Sequence, residues 1–336
     1  MELNTASLSD LSSITPHLFL KAQESVDKAA RSSGLFKIET IPANSGDSRD
    51  FTEIDLEQYA SRKGEGDQAD RASVQQGYSK TMTPYRIAKD IGITYEMRTR
   101  NRYSDVVARL TNLGTLADNR MELDLSLRLS FMASTSYTDK DGETVATTVG
   151  DTYQLAYSAH TLAGSSTQYR NILAGNPKIS KGALEAIERL VVENTYNQLG
   201  EAVSDGTFDI LWTTNDPNTV NTAREYLQSS AAVDGGNSGV KNVYAAKYRH
   251  VILPRIAMTA AGAPDTDKRY YWGIASSAMS SAYLGIWEEP HLKMPANLNA
   301  AEDFSTDDWE YGVRAGYGIV ICGASWIKCS KGDGSA

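Results

Sequence analysis

NRYSDVVARLTNLGTLADNRMELDLSLRLSFMA, residues Asn101 to Ala133, is the stretch that decides how the rest of the chain is read. It holds no proline, and its only glycine is Gly114. Tyr103, Val107, Leu110, Gly114, Ala117, Met121, Leu125, Leu129 and Met132 recur at steps of three and four, the spacing of one face of an α-helix. Such a helix is roughly 50 Å long at about 1.5 Å per residue. Its second half also alternates, at Leu123, Leu125, Leu127, Leu129 and Phe131, as a strand does. Helix is preferred, because no β-branched residue falls between Leu116 and Phe131 and Leu, Met, Arg and Glu are good helix formers. Apolar side chains on several faces predict burial on several sides, by other chains as well as this one. Asn101 is a candidate N-cap, and Gly114 with Ala117 gives another backbone room to come close.

Composition sets the outer bounds. A chain of 336 residues has material for two domains. Its net charge of -9 makes nucleic acid a poor candidate for a tight, direct ligand, though not for something enclosed. The first residues lack a basic segment followed by an apolar one, and no apolar run of 18 or more exists, so the expectation is a soluble protein made in the cytoplasm. Cys322 and Cys329 are too few for a disulfide framework and read as inert, buried thiols.

Outward from the helix, Thr15 and Pro16 predict the start of a short amphipathic helix that ends before Gly34. Residues 46 to 98 read as two long strands around a polar tip. Ile54 and Leu56 alternate on the way out, and Ile87, Ile91, Ile93 and Tyr95 mark the return. Lone two-stranded hairpins are marginal in water, so arms of about 15 residues, some 50 Å long, are expected to lean on neighbouring subunits. A charged surface loop is the plainer alternative.

Beyond the helix, residues 134 to 150 read as a turn-bearing connection. Pro177 and Ser180 introduce a second helix with Leu184, Ile187, Leu190 and Val191 inside. Residues 207 to 213 form a strand, and Asp216 with Pro217 starts a helix carrying Val220, Ala223 and Leu227. Residues 231 to 242 read as a loop, and residues 243 to 256, 269 to 275 and 283 to 287 as strands, with Pro254 placing its own at an edge or end. Trp309, Tyr311, Val313, Ala315, Tyr317, Ile319 and Ile321 stand at a strict step of two. Gly312, Gly316 and Gly318 leave the other face of that strand bare, and the long helix is expected to lie there.

Signatures of common enzymes are missing: there is no phosphate-cradling glycine loop, no His-Glu-x-x-His and no Gly-x-Ser-x-Gly. His17, His160, His250 and His291 are too far apart in sequence for a local metal cluster. Ser158 and His160 can be drawn as a nucleophile and base, but a hydrogen-bonded structural role is the simpler reading. The acid pairs Glu288-Glu289 and Asp307-Asp308 read as solvated surface.

Three strings carry a resemblance: Y-S-A-H-T-L from Tyr157 followed by Asn171 and Pro177, the strand and helix from Asp209 to Leu227, and V-R-A-G-Y-G-I from Val313 to Ile319. In their order the chain resembles the major capsid proteins of tailed bacteriophages, the Hong Kong 97-type fold, across essentially all its length. The resemblance implies an α+β fold with an N-terminal arm (1–45), an extended hairpin loop (46–98), a peripheral domain with the spine helix (99–174), an axial domain (175–290) and a return to the peripheral domain (291–336).

It also implies a non-catalytic shell subunit without cofactors or metal, assembling with itself as pentamers and hexamers around double-stranded DNA that it does not bind specifically. A bacterial encapsulin-type compartment shares the fold and is the alternative; a soluble hydrolase is the alternative of another class. Expected partners are a separate scaffolding protein, since only about 45 residues precede the hairpin, a portal, and optionally a decoration protein; no membrane is involved. The expected location is a virion capsid assembled in the host bacterial cytoplasm. Assembly contacts are expected from Lys63, Glu65, Asp67, Asp70 and Arg71 on the tip and from Arg102, Arg109 and Arg120 on the helix. Lys63 and Lys80 are candidate donors for the inter-subunit Lys–Asn links of some relatives, but no asparagine follows Asn299, so a non-covalent shell is expected.

Overall fold

The computed structural model describes residues 8–42, 46, 48–99, 103–203, 207–231, 241–294 and 309–334. Helix α1 (Leu8–Ser25) begins well before the Thr15-Pro16 pair and carries Pro16 inside it. Proline costs a helix interior an N–H bond; burial of Phe19 and Ala22 offsets it. A short α2 (Ala29–Ser32) and strand β1 (Lys37–Thr40) follow.

The expected long hairpin is two different objects. Strand β2 (Arg49–Leu56) pairs antiparallel with β3 (Val74–Met82), so the return arm is the polar segment before Met82. Strand β4 (Tyr85–Ile93), with Ile87, Ile91 and Ile93, turns away and joins another sheet, and Tyr95 opens a short helix, α3 (Tyr95–Thr99). Apolar alternation marked β4 as a strand but did not say with which partner.

The spine is helical as expected. It is α4 (Tyr103–Ser130), with Asn101 and Arg102 outside the described residues. At 28 residues it spans about 42 Å. Its first turns bury Val106, Leu110, Leu113 and Ala117, a face turned slightly from the one through Val107. In the second half Met121, Leu125, Leu127 and Leu129 are all buried within this one chain, so no second chain is needed to cover them. Gly114 lies under α1: a Cβ there would sit 2.8 Å from Ala22 Cβ and 2.9 Å from the Phe19 carbonyl oxygen.

After the spine come two small ribbons, β5 (Ser136–Thr138) with β6 (Thr144–Ala146) and β7 (His160–Thr161) with β8 (Gln168–Tyr169). Helix α5 (Lys181–Glu193) starts where the sequence says, with Ser180 Oγ accepting from the Ala183 N–H. Strand β9 (Ile210–Thr213) leads into α6 (Pro217–Gln228), capped by Asp216. The strand expected over 243 to 256 shrinks to β10 (Arg249–Ile252), because residues 243 to 247 turn, with Ala246 at φ 56°, and bury Tyr244. Strands β11 (Trp272–Ala275), β12 (Ala282–Lys293), β13 (Trp309–Ile321) and β14 (Ile327–Ser330) complete the chain.

Two four-stranded sheets organise these parts. One has the order β1-β12-β13-β4 and the other β10-β9-β11-β14; β1 with β12 and β10 with β9 are parallel pairs, the rest antiparallel. Strand β10 is an edge, as Pro254 predicts. In the second sheet Leu211, Trp272 and Ile274 face α5 and α6, while Ile210, Trp212 and Ala275 join the core shared with the spine.

The spine packs on the apolar face of β13, not on its glycines. Val106, Leu110, Leu113 and Ala117 share a core with Trp309, Tyr311, Val313 and Ala315, and Tyr317, Ile319 and Ile321 continue it beside Met121, Leu125 and Leu129. Burying large side chains against the helix outweighs close backbone approach. The glycine face is closed by other groups: Gly318 lies under Met82 and Gly316 beside Glu288.

Candidate assembly surfaces

The β2–β3 hairpin builds the most exposed part of the chain. Every residue from 58 to 74 is exposed, as a segment with few apolar side chains and several charges must be. Lys63, Glu65, Asp67, Asp70 and Arg71 all lie there, and inside it the Gly64 N–H donates to Asp67 Oδ2 at 3.1 Å. Ile54, Leu56, Tyr59 and Val74 are also open to solvent, with Ile54 66% exposed; Leu56 and Val74 are partners across the ribbon. These are large apolar groups that the described residues leave uncovered.

The base of the hairpin, expected to lean on neighbours, is held by its own chain. Asp55 accepts from the Gln198 N–H at 2.8 Å, Glu53 from Gln198 Nε2 at 2.9 Å, and Glu201 from the Gln58 N–H at 3.0 Å. Tyr78 and Thr161 share a hydroxyl hydrogen bond at 2.9 Å. Burial raises the Glu53 carboxyl pKa, opposed by hydrogen bonds from Ser281 and Gln198. The ribbon therefore leaves the body in a fixed direction, and only its outer end is free.

On the spine, Arg109 is exposed and donates to the Gly92 carbonyl at 3.2 Å; Arg102 lies outside the described residues. Arg120 is placed differently, because its guanidinium is taken up within the chain. It pairs with Asp124 at 2.9 Å, Asp139 at 2.7 Å and Asp141 at 2.8 Å, tying the β5–β6 ribbon to the helix.

Three acids of α4 are buried: Asp118, Glu122 and Asp124. Glu122 accepts from the Ala30 N–H at 2.8 Å and from Arg31 Nε at 2.8 Å, and Asp118 pairs with the same arginine. Burial would lower the Arg31 pKa, but these two carboxylates raise it. Asp124 accepts from Tyr85 and Tyr317. Their partners lie far away in sequence, so local pattern gave no signal.

The candidate nucleophile and base are not brought together. Ser158 is exposed, whereas His160 is buried, with Nδ1 2.7 Å from Asp151 Oδ2 and Nε2 3.2 Å from the Leu155 carbonyl oxygen, its ring stacked on Tyr169. Burial would raise the Asp151 carboxyl, yet hydrogen bonds from His160, Tyr153 and Thr161 hold it below the usual range. Cys322 and Cys329 are free and buried, their thiols pushed up to about 12 by desolvation. Among the described residues no group of three or more His, Cys, Asp or Glu side chains is placed to hold a metal ion, and no helix is long and apolar enough to cross a membrane.

No protein-family model matches the sequence, and no curated protein does. Solved structures do. The capsid of Ralstonia phage GP4 aligns over 89% of this chain and 87% of its own, with a TM-score of 0.50 and 12% identity. A chain of Gordonia phage Cozz aligns over 88% and 84% (TM-score 0.49, 11% identity), and a virus-like particle from Pyrococcus furiosus over 95% and 98% (0.46, 11%). The chain thus shares its mixed helix-and-sheet fold with the capsid of Ralstonia phage GP4.

Proposed function

We propose that this chain is a major capsid protein, the repeated subunit of an icosahedral shell that encloses double-stranded DNA. The observation that carries this is the outer hairpin: a ribbon fixed at its base by Gln198 and Glu201 presents Ile54, Leu56 and Val74 with nothing among the described residues to cover them. Apolar groups held out on a rigid arm imply a protein partner. The capsid fold, shared with Ralstonia phage GP4 at a TM-score of 0.50, makes that partner another copy.

In this reading residues 175–290 form the axial domain of the capsomer, the spine with residues 291–336 belongs to the peripheral domain, and Lys63, Glu65, Asp67, Asp70, Arg71 and Arg109 contact neighbours. The subunit has no catalytic role, forms pentamers and hexamers in the host bacterial cytoplasm, and works with a separate scaffold, a portal and optionally a decoration protein. A net charge of -9 suits a container that releases its contents.

Expression of the chain alone and with its neighbouring genes, followed by negative-stain electron microscopy, tests the proposal. Closed shells, capsomers or tubes are expected; a monodisperse monomer under both conditions overturns it. Double-stranded DNA in particles from infected cells separates a genome shell from an enzyme-packaging compartment.

A further inference from the structure

The end of β3, the start of β4, the last turns of α4, the β5–β6 ribbon and the inner end of β13 enclose a cavity of about 440 Å3. Two cations line it, Lys80 and Arg128, beside Thr83, Tyr85 and Thr144. Its lining includes no acidic residue, although the chain as a whole carries a net charge of -9.

Neither cation has a carboxylate partner among the described residues. Lys80 Nζ donates to the Thr148 carbonyl and lies 3.5 Å from Thr148 Oγ1, and Arg128 Nη1 donates to the Ala146 carbonyl. Arg128 Nε is buried with no hydrogen-bond partner. The acids of the surrounding network are already used: Asp124, to which Tyr85 donates, also accepts from Arg120 and Tyr317, and Asp151 is held by His160. Half-buried cations without counter-charge are costly. The cost shows at Lys80, whose ammonium is pushed down to about 8 by burial first and the nearby Arg128 charge second, against the opposing pull of Cys322 and Asp151.

We infer that this cavity is an oxyanion site, taking one carboxylate or phosphate group between Lys80 Nζ and the Arg128 guanidinium. Guanidinium donors match the geometry of both groups, and an ammonium supplies a point charge beside them. A neutral ligand would leave both charges unpaired, and a cation would add a third. The anion has two sources, dissolved phosphate or an acidic side chain of a second copy. The second source rests on the shell reading, whereas the first does not.

Inorganic phosphate titrated into the unassembled chain at pH 7, against sodium chloride of matched ionic strength, separates these cases by calorimetry and thermal unfolding. Saturable binding with a rise in Tm that chloride does not give is expected. Arg128→Gln and Lys80→Met should each weaken it at least tenfold, and Arg128→Gln leaves the buried lysine in place, so the result does not depend on Lys80→Met folding. Binding lost on assembly assigns the site to a neighbour's carboxylate; binding kept in particles assigns it to the free anion. Equal responses to phosphate and chloride, or unchanged affinity in Arg128→Gln, overturns the site whether or not shells form.

Discussion

Tyr317 on β13 donates its hydroxyl to Asp124 on the spine helix at 2.6 Å, across a buried contact, and Tyr85 on β4 reaches the same carboxylate at 3.0 Å. Desolvation first, then the neighbouring Tyr85 and Asp124, raises the Tyr317 phenol well above its ordinary range, so it stays a donor. With Arg120 at 2.9 Å, Asp124 joins two strands and a ribbon to one turn of the helix. Tyr317→Phe removes one bond to a charged group and is expected to cost about 1.5–3 kcal/mol. Asp124→Ala takes the acceptor from both phenols, while Arg120 keeps Asp139 and Asp141, and is expected to cost more, about 2–6 kcal/mol at about 1–3 kcal/mol for each donor left unsatisfied. Urea unfolding of the soluble chain gives both numbers, and a Tyr317→Phe variant as stable as the parent would refute the role.

Gly114 makes a second, steric prediction. Alanine usually gains about 1 kcal/mol over glycine inside a helix. Here the added methyl meets the Phe19 carbonyl oxygen at 2.9 Å, a backbone atom that cannot move without shifting α1. Gly114→Ala is therefore expected to be destabilising, by about 1–3 kcal/mol, with α1 the first segment cut by protease. A stabilised Gly114→Ala variant would show that α1 packs elsewhere.

How legible this was varies with the range of the determining contacts. Ser180 and Asp216 cap their helices because a cap acts over three residues, and the step-of-two pattern in β13 needs only its own strand. The partner of β4 was misread because Ile87, Ile91 and Ile93 say that a sheet covers them, not which one. The burial of Asp118, Glu122 and Asp124 left no trace in the helix pattern because Arg31, Tyr85 and Tyr317, which satisfy them, arrive from distant segments. The tip residues of the proposed assembly surface were visible as charge without apolar content. The Lys80–Arg128 cavity was not, since its walls come from five separate elements.

Lys328 gives stability a pH dependence of known sign. Its side chain is fully buried on β14, donating to the Asn194 carbonyl at 2.7 Å at the end of α5, and burial lowers its pKa to about 7. An unfolded lysine titrates near 10.4, so between those values the unfolded chain binds the proton that the folded chain has shed. Stability from this group therefore rises with pH from about 7 upward. Cys329, pushed up to about 12, opposes it once free thiols begin to ionise near 8.5. The clean window is pH 7 to 8, below the value of about 8 at which folded Lys80 adds a rise of the same sign, and there Lys328→Met is expected to flatten the rise seen in the parent. Parallel curves for the two proteins would refute the assignment.

Covalent linkage of mature particles through Lys80 is not expected. Its Nζ is turned inward onto the Thr148 carbonyl, so it would have to leave a buried hydrogen bond to reach another subunit. On a denaturing gel of mature particles this chain should run as one band near 36.6 kDa, with no multimers of it above. A ladder abolished by Lys80→Arg would reverse this conclusion.

Deleting residues 62 to 72 isolates assembly from folding. The deletion removes Lys63, Glu65, Asp67, Asp70 and Arg71 but keeps the Glu57 N–H to Ser73 carbonyl bond, 3.0 Å, that closes the ribbon. It also keeps the Gln198 and Glu201 anchors at the base. Every residue removed is exposed, so circular dichroism and the unfolding midpoint should match the parent. The tip's contacts exist only between copies in the proposed shell, so particle yield should fall while monomer yield does not. Shells of normal number and shape would show that the free end is dispensable, and would leave the uncovered Ile54, Leu56 and Val74 to make the inter-subunit contact alone.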